Sequence, residues 1–383
     1  MASFKKHGDK NWEYRLRYKD PISGKYKEKA QRGFATKPEA RLAAEEMEKR
    51  IKDGYEESEN VLLKNYLSDW LATWKTPPKV RKNTHQLHKR NIEKHIIPYF
   101  KEIKVGEITH KMHQEFLDHL SNQDYSKRTI EIIHGTMFSA LEKAVNEQRL
   151  KRNPCLGAEI NSKKKVKNKE KLEYMDSEDI PLFLQQAYQY DYIYWLFFKV
   201  LLETGMRKGE AAALQWSDVD LKEGTITINK TLDFQAKTDE ELFGDPKTFT
   251  SKRTITVRKS LINDLSFHKN YQNQNKLALN EIYKHELNLV LCRNDGNFMP
   301  KSTLFNAMER ILKRAGLPQI PIHALRDSHA VLLLESGASL EYVQRRLGHK
   351  SYQTTADIYS HISKKIEQDT LDKYEAHMDS VLK

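Results

Sequence analysis

Cysteine is almost missing: Cys155 and Cys292 are the only two in 383 residues. That excludes a disulfide framework and a thiolate zinc cluster, and it favours a reducing interior. Long apolar runs are missing too. No stretch of ~18 apolar residues occurs, and the nearest approach, Tyr192 to Leu202, is broken by Lys199 and reads as a buried helix. The opening MASFKKHGDK holds no apolar segment fit for a signal peptide. There are no internal repeats, no G-x-x-x-x-G-K-[ST] phosphate loop and no H-E-x-x-H. Acidic side chains are in deficit, 53 against 65 Lys and Arg, leaving +12 and favouring a polyanionic partner, nucleic acid ahead of membrane.

The charge is unevenly spread. Residues 1–37 carry +7, 62–156 another +7 and 163–171 +5, whereas 172–383 come to about −2. Binding and chemistry are thereby expected in different parts of the chain.

Residues 12–18 alternate, with Trp12, Tyr14, Leu16 and Tyr18 on one face and Glu13, Arg15 and Arg17 on the other. Residues 20–24 supply a turn and Lys25 to Ala30 alternate again. This predicts a small sheet with Arg15, Arg17, Lys25, Lys27 and Lys29 sharing one exposed, DNA-contacting face. Thr36 and Glu39 form a capping box for a helix to about Ile51. A polar, acidic linker follows at 54–61.

Helical spacing then sets in at Leu63, Tyr66, Leu67, Trp70, Leu71 and Trp74. More helices are expected at about 84–97, 109–121 and 126–148, the last capped by Ser126 with Ile130, Ile133, Phe138 and Leu141 as its buried stripe. Lys82 and Arg128, among other cations at helix starts, are candidate phosphate contacts. Seven histidines between 85 and 134 lack a carboxylate or cysteine framework, so no metal is assigned. The stretch 161–171, with Lys163, Lys164 and Lys165, reads as an extended basic linker. Beyond it, Asp176 or Ser177 caps a helix, 192–204 is an apolar helix ended by Gly205, and 224–229 and 253–257 are β-branched strand runs flanking a polar insertion.

The densest chemistry lies in Thr204-Gly-Met-Arg-Lys-Gly-Glu210, Pro246-Lys-Thr248, His323-Ala-Leu-Arg326, Leu347-Gly-His349 and Asp357-Ile-Tyr359. In types and order these motifs resemble the tyrosine recombinases, the lambda-integrase family, over about residues 172–365. The whole layout is similar to phage and conjugative-element integrases of Gram-positive bacteria. The resemblance implies a multidomain, mainly α fold with small β-sheets. An arm-type DNA-binding domain of three strands and a helix would span 1–55, with a linker at 56–61. A helical, SAM-like core-binding domain would span 62–157, a basic linker 158–172, and an α+β catalytic domain with a tail helix 173–383.

It further implies that Arg207 and Arg326 are the two family arginines, Lys247 the hairpin lysine, His323 and His349 the two histidines, Tyr359 the nucleophile and Glu210 the acid after the first arginine. Lys247 competes with Lys237 and Lys252, and Tyr359 with Tyr352 and Tyr374. Asp327 stands where relatives often carry histidine. The implied partner is double-stranded DNA at core and arm-type sites, bound by a homotetramer, with a directionality factor and a host DNA-bending protein as possible helpers. The implied compartment is the bacterial cytoplasm, with no membrane contact and no cofactor. A resolvase of the same fold and a catalytically idle DNA-binding protein are the rival readings.

Chemistry asks for these residue types independently. Two guanidinium forks suit the non-bridging oxygens of a phosphodiester as charge builds on them. A tyrosine of pKa ~10 needs neighbouring positive charge or a proton acceptor to attack. The departing 5′ oxygen needs a general acid, the role implied for Lys247.

Overall fold

The structure is a computed structural model that describes residues 2–19, 26–52, 61–162, 173–236, 238–245 and 252–382. It divides into two compact units, Met1–Lys167 and Asn168–Lys383.

In the first unit, β1 (Ala2–Lys6), β2 (Trp12–Lys19) and β3 (Tyr26–Phe34) form an antiparallel sheet in chain order. α1 (Lys37–Lys52) covers one face, burying Tyr14 and Leu16 against Ala44 and Met47. Thr36 caps α1 by accepting from the Glu39 N–H at 3.4 Å, while the Glu39 carboxylate reaches back to the Ala35 N–H at 3.0 Å. The reciprocal exchange expected of a capping box is thus displaced by one residue.

The expected cationic face is corrected by the strand register. Arg15 lies opposite Ala30 and Arg17 opposite Glu28, whereas Leu16 lies opposite Lys29 and Tyr18 opposite Lys27. Residues directly opposed in an antiparallel pair share a face. Lys27 and Lys29 therefore belong to the side that α1 covers, and Arg15 and Arg17 to the open side; Lys25 lies outside the described residues. Glu13 is also not a solvated residue. It is buried, accepting from Arg32 Nε at 3.2 Å, pairing with Arg15 Nε at 3.5 Å and touching the His7 ring.

α2 (Leu63–Trp74) opens a helical array. α3 (Lys82–Asn91) continues through one wide turn at Ile92–Ile96 into α4 (Ile97–Phe100), so the helix expected at 84–97 is longer at both ends. α5 (His110–Asn122) is capped by Thr109 and α6 (Lys127–Asn146) by Ser126, whose Oγ accepts from the Thr129 N–H at 3.2 Å. Ile130, Ile133, Met137, Leu141 and Ala144 fill the core from α6, and Phe138 sits at its rim, where the 3.6-residue period puts it one position past Met137. Three of the histidines pack within the array. His88 meets the Thr136 hydroxyl at 3.0 Å, and His113 Nε2 meets His134 Nδ1 at 2.9 Å. Lys82 is half-buried at the first turn of α3, and Arg128, exposed in α6, pairs with Glu131 at 3.1 Å. Lys163, Lys164 and Lys165 lie outside the described residues.

The second unit begins with α7 (Ile180–Tyr190). Its start is two or three residues later than a cap at Ser177 or Asp176 would put it, because 177–179 form a turn in which the Asp179 N–H bonds the Asp176 carbonyl at 3.1 Å. α8 (Tyr192–Thr204) is the central core helix, with Leu196, Phe197, Phe198, Val200, Leu201 and Leu202 all buried. Then come α9 (Lys208–Ala212), β4 (Val219–Asp220), β5 (Thr225–Ile228), β6 (Thr231–Leu232), β7 (Phe243–Gly244) and β8 (Arg253–Thr256). β4, β5 and β8 form one antiparallel sheet, and β6 and β7 a separate ribbon between β5 and β8. α10 (Lys259–Leu279), α11 (Lys301–Ala315), α12 (Ala324–Glu335), α13 (Leu340–Leu347) and α14 (Tyr352–Val381) complete the unit. α12 packs on α8, and α13 and α14 pack on α12.

Gly205 ends α8 with φ +66°, a conformation that costs little only for glycine. A Cβ there would strike the Leu347 side chain and approach His329 Cδ2 to 2.6 Å. Gly205→Ala is therefore expected to destabilise the protein by about 2–4 kcal/mol, measured as a lowered urea midpoint; an unchanged midpoint would contradict this packing.

Candidate active site

Three helix junctions assemble the centre. At the first, the chain leaves α8 through Gly205 and enters α9 with Arg207 as its extended cap residue. Glu210, three residues on, folds back. Its Oε2 accepts from the Arg207 N–H at 3.0 Å and its Oε1 from Arg207 Nη1 at 2.7 Å. A glutamate at this helix position commonly caps the backbone; here it also fixes the guanidinium of its own cap residue.

Glu210 has a second cation. Arg253, the first residue of β8, donates from Nη2 to Glu210 Oε2 at 3.1 Å and from Nε to the Arg346 carbonyl at 2.7 Å. Burial alone would raise the Glu210 carboxyl, but Arg253, Arg207 and the Arg207 N–H together hold it below its ordinary value. Glu210 is ionised at neutral pH, and one carboxylate holds two arginines.

At the second junction, His323 immediately precedes α12, with no cap bond from its side chain, and Arg326 lies in the first turn. Arg326 is 2% exposed and spends two donors on helix ends: Nη1 bonds the Gly205 carbonyl and Nη2 the Leu347 carbonyl, both at 2.6 Å. These carbonyls terminate α8 and α13, where partial negative charge collects. Burial, with Arg207 adding, pushes Arg326 down to about 9, still cationic at neutral pH. His323 stays open to solvent at the cap; partial burial of its ring, then Arg326 and Arg207, lower its pKa.

At the third, α13 ends in Gly348, again left-handed at φ +68°, and Arg207 Nη2 reaches its carbonyl at 3.4 Å. His349 follows. Its Nδ1 is 2.9 Å from the Thr355 hydroxyl, leaving Nε2 as the nitrogen that can meet a ligand. Burial, then the charges of Arg326 and Arg207, push it to about 3, so the ring is neutral. Thr355 and Tyr359 are four residues apart on α14 and share a face. The Tyr359 ring is half-buried against the small core of Ala330, Val331, Val343 and Leu347, whereas Tyr352 and Tyr374 are more than half exposed.

Lys247 and its competitor Lys237 lie outside the described residues; Lys252 pairs with Asp245 at 3.0 Å on the surface. Asp327 is partly buried; burial raises it to about 6 against the pull of Arg326. Two residues on, and on another face of α12, His329 is buried between the Leu202 carbonyl at 2.7 Å and Arg346 Nε at 3.1 Å.

Arg253, Arg346 and Thr355 escaped the sequence reading. Arg253 had a signal, a lone arginine heading the β-branched run 253–257; Thr355 had none. Three guanidiniums, one carboxylate and two histidines of lowered pKa make a pocket of net positive charge, suited to a tetrahedral anion. Among the described residues no group of His, Cys, Asp and Glu is placed to hold a metal, and no helix is long and apolar enough to cross a membrane.

Acid should unfold this unit. His268 and His329 stand near 4 and His349 near 3 in the folded chain, below ~6.5 unfolded. The unfolded chain binds protons first, so stability is full above about pH 6.5 and falls below it. The loss at pH 5 is about 2 kcal/mol per histidine, and Asp327, raised to about 6, offsets roughly one of them. Urea midpoints at pH 7.5 and 5 should show this, and His349→Gln should reduce the difference; identical differences would remove His349 from the account.

The phage integrase family model matches residues 173–365, an Arm DNA-binding domain model residues 3–51, and a phage integrase N-terminal SAM-like domain model residues 62–121. The ICEBs1 integrase of Bacillus subtilis is 28% identical over 366 residues, covering 92% of this chain and 94% of that protein. A XerC-like tyrosine recombinase of Caldanaerobacter subterraneus is 28% identical over 348 residues, covering 85% and 86%. Among solved structures, the Tn1549 transposon integrase in complex with transposon right end DNA superposes with a TM-score of 0.65 at 15% identity, over 82% of this chain and 99% of that one. A lambda integrase dimer bound to a COC′ core site gives 0.58 at 19% identity, over 94% of each.

Proposed function

The chain belongs to the phage integrase family, the tyrosine site-specific recombinases that integrate or excise mobile elements, and from this we propose how its own residues divide the work. Tyr359 Oη, giving its phenolic proton to a neutral imidazole of the centre, attacks the scissile phosphorus and forms a 3′-phosphotyrosyl bond as the P–O5′ bond breaks. The departing 5′ oxygen takes a proton from Lys247. Arg207 and Arg326 hold the non-bridging oxygens, His323 and His349 add hydrogen-bond contacts from rings of lowered pKa, and Glu210 and Arg253 keep Arg207 aimed. A 5′-hydroxyl from the partner duplex then reverses the attack, so the bond energy is conserved and no nucleotide is consumed.

The observation that carries this assignment is the meeting of three chain junctions, at Gly205–Arg207, His323–Arg326 and Leu347–His349, around two arginines, with Tyr359 one turn beyond the residue that holds His349. Charge stabilisation by donors fixed in this way is worth ~10²–10³ per donor.

We further propose that residues 1–55 read arm-type sites through the open sheet face carrying Arg15 and Arg17, and that 62–157 and 158–172 grip the core site, with Lys82, Arg128 and Lys163, Lys164 and Lys165 on its phosphates. The working form is a homotetramer on two DNA sites in the bacterial cytoplasm, with a directionality factor and a host DNA-bending protein setting the direction.

A nicked suicide substrate carrying the core site should trap a covalent adduct on a denaturing gel with the wild type and none with Tyr359→Phe. An adduct formed by the phenylalanine variant would move the nucleophile elsewhere. A chain starting near residue 56 should keep core-site cleavage and lose integration; full integration by that truncated chain would remove the separate arm-site role.

A further inference from the structure

Beside the arginine centre lies a second cationic feature that the mechanism above does not use. Lys208 follows Arg207 and is half-buried between two aromatic rings, its Nζ 5.2 Å from the centroid of Phe234 and 4.4 Å from that of Phe305. Lys301, exposed at the first position of α11, places its Nζ 5.7 Å from the same Phe305 ring. Among the described residues, neither lysine has a carboxylate within ion-pair distance.

This arrangement works against stability. Two ammonium groups share one ring, whose attraction for an exposed cation is only ~0.5–1 kcal/mol. Lys301 also stands at the positive end of the α11 dipole. Burial and the charge of Lys301 both lower the pKa of Lys208, and Lys208 in turn helps to lower that of His323, so the pair lies within electrostatic reach of the centre. Cations held together without a counter-charge are relieved by an anion between them.

We propose that Lys208 and Lys301, steadied by Phe305, clamp the backbone phosphate neighbouring the scissile one, fixing the register of the cleaved strand. The proposal rests on the recombinase reading and adds a binding contact to it. Phe234 and Phe305 hold the Lys208 stem, so its ammonium meets the strand in one place rather than sweeping the surface. Lys301 closes the other side of the phosphate, where a point charge serves without a fork.

The test uses the full chain carrying Tyr359→Phe, so that binding is read without cleavage. Fluorescence anisotropy with a core-site duplex is followed across salt concentration for this chain and for Lys208→Met with Lys301→Met, methionine keeping the stem apolar. The double variant should bind roughly tenfold more weakly at 0.1 M salt, with a log–log salt slope shallower by about 0.9, one phosphate. A methylphosphonate at the neighbouring position should weaken the parent and leave the double variant unaffected, and arginine at both positions should restore affinity.

An unchanged slope, or additive losses at every methylphosphonate position, overturns the clamp. So does rescue of Lys208→Met cleavage, in the Tyr359 background, by a 5′-bridging thiolate leaving group, since Lys208 would then be donating the proton. If the wild type traps no covalent adduct at all, it is the recombinase reading that fails, and the slope comparison remains a separate measurement. Equal melting temperatures for parent and variant exclude misfolding as the cause of lost binding.

Discussion

The constraint on which the centre depends is the buried carboxylate of Glu210. Arg207 and Arg253 are like charges brought together around one buried carboxylate, and without that anion between them they would repel. Glu210 accepts from both and from the Arg207 backbone, joining the start of α9 to the head of β8. Removing one partner from such a buried group costs about 3–5 kcal/mol, so the triad holds or fails as a unit. It still leaves net positive charge, which the proposed phosphodiester substrate would balance.

Arg326 solves a related problem at two helix ends. The last carbonyls of α8 and α13 would otherwise point into the protein unsatisfied, and the guanidinium takes one from each. A side chain that stitches two helices has little freedom of orientation, which suits a group that must be in place before charge develops. Gly205 and Gly348 let the chain turn away at once and expose those carbonyls.

What could be read from the sequence was local. The apolar run of α8, its glycine stop, the Ser126 cap and the β-branched strands β5 and β8 each depend on residues within a few positions, and each is found where periodicity and capping put it. The family motifs fixed which side chains to look for because their order is itself a pattern. The facing of β2 against β3 was not readable, since parity across a hairpin depends on the length and conformation of the turn, and a shift of one residue exchanges the faces. Nor was Arg253 as a partner of Glu210, 43 positions away, because a lone arginine at a strand head looks the same whether it meets solvent or a buried acid. The helix start at Ile180 was displaced by a turn that competes with Asp176 and Ser177 for the capping role.

Thr355 and Tyr359 ride on one face of α14, and the first orients His349 while the second is the proposed nucleophile. Their spacing is fixed by helix pitch and not by any loop. If the start of α14 withdraws or turns, the imidazole loses its tether in the same movement that carries the phenol away. The helix behaves like a two-pronged plug: the centre is either wired at both contacts or dead at both, and a tyrosine left exposed by a displaced helix finds no aligned histidine to work with.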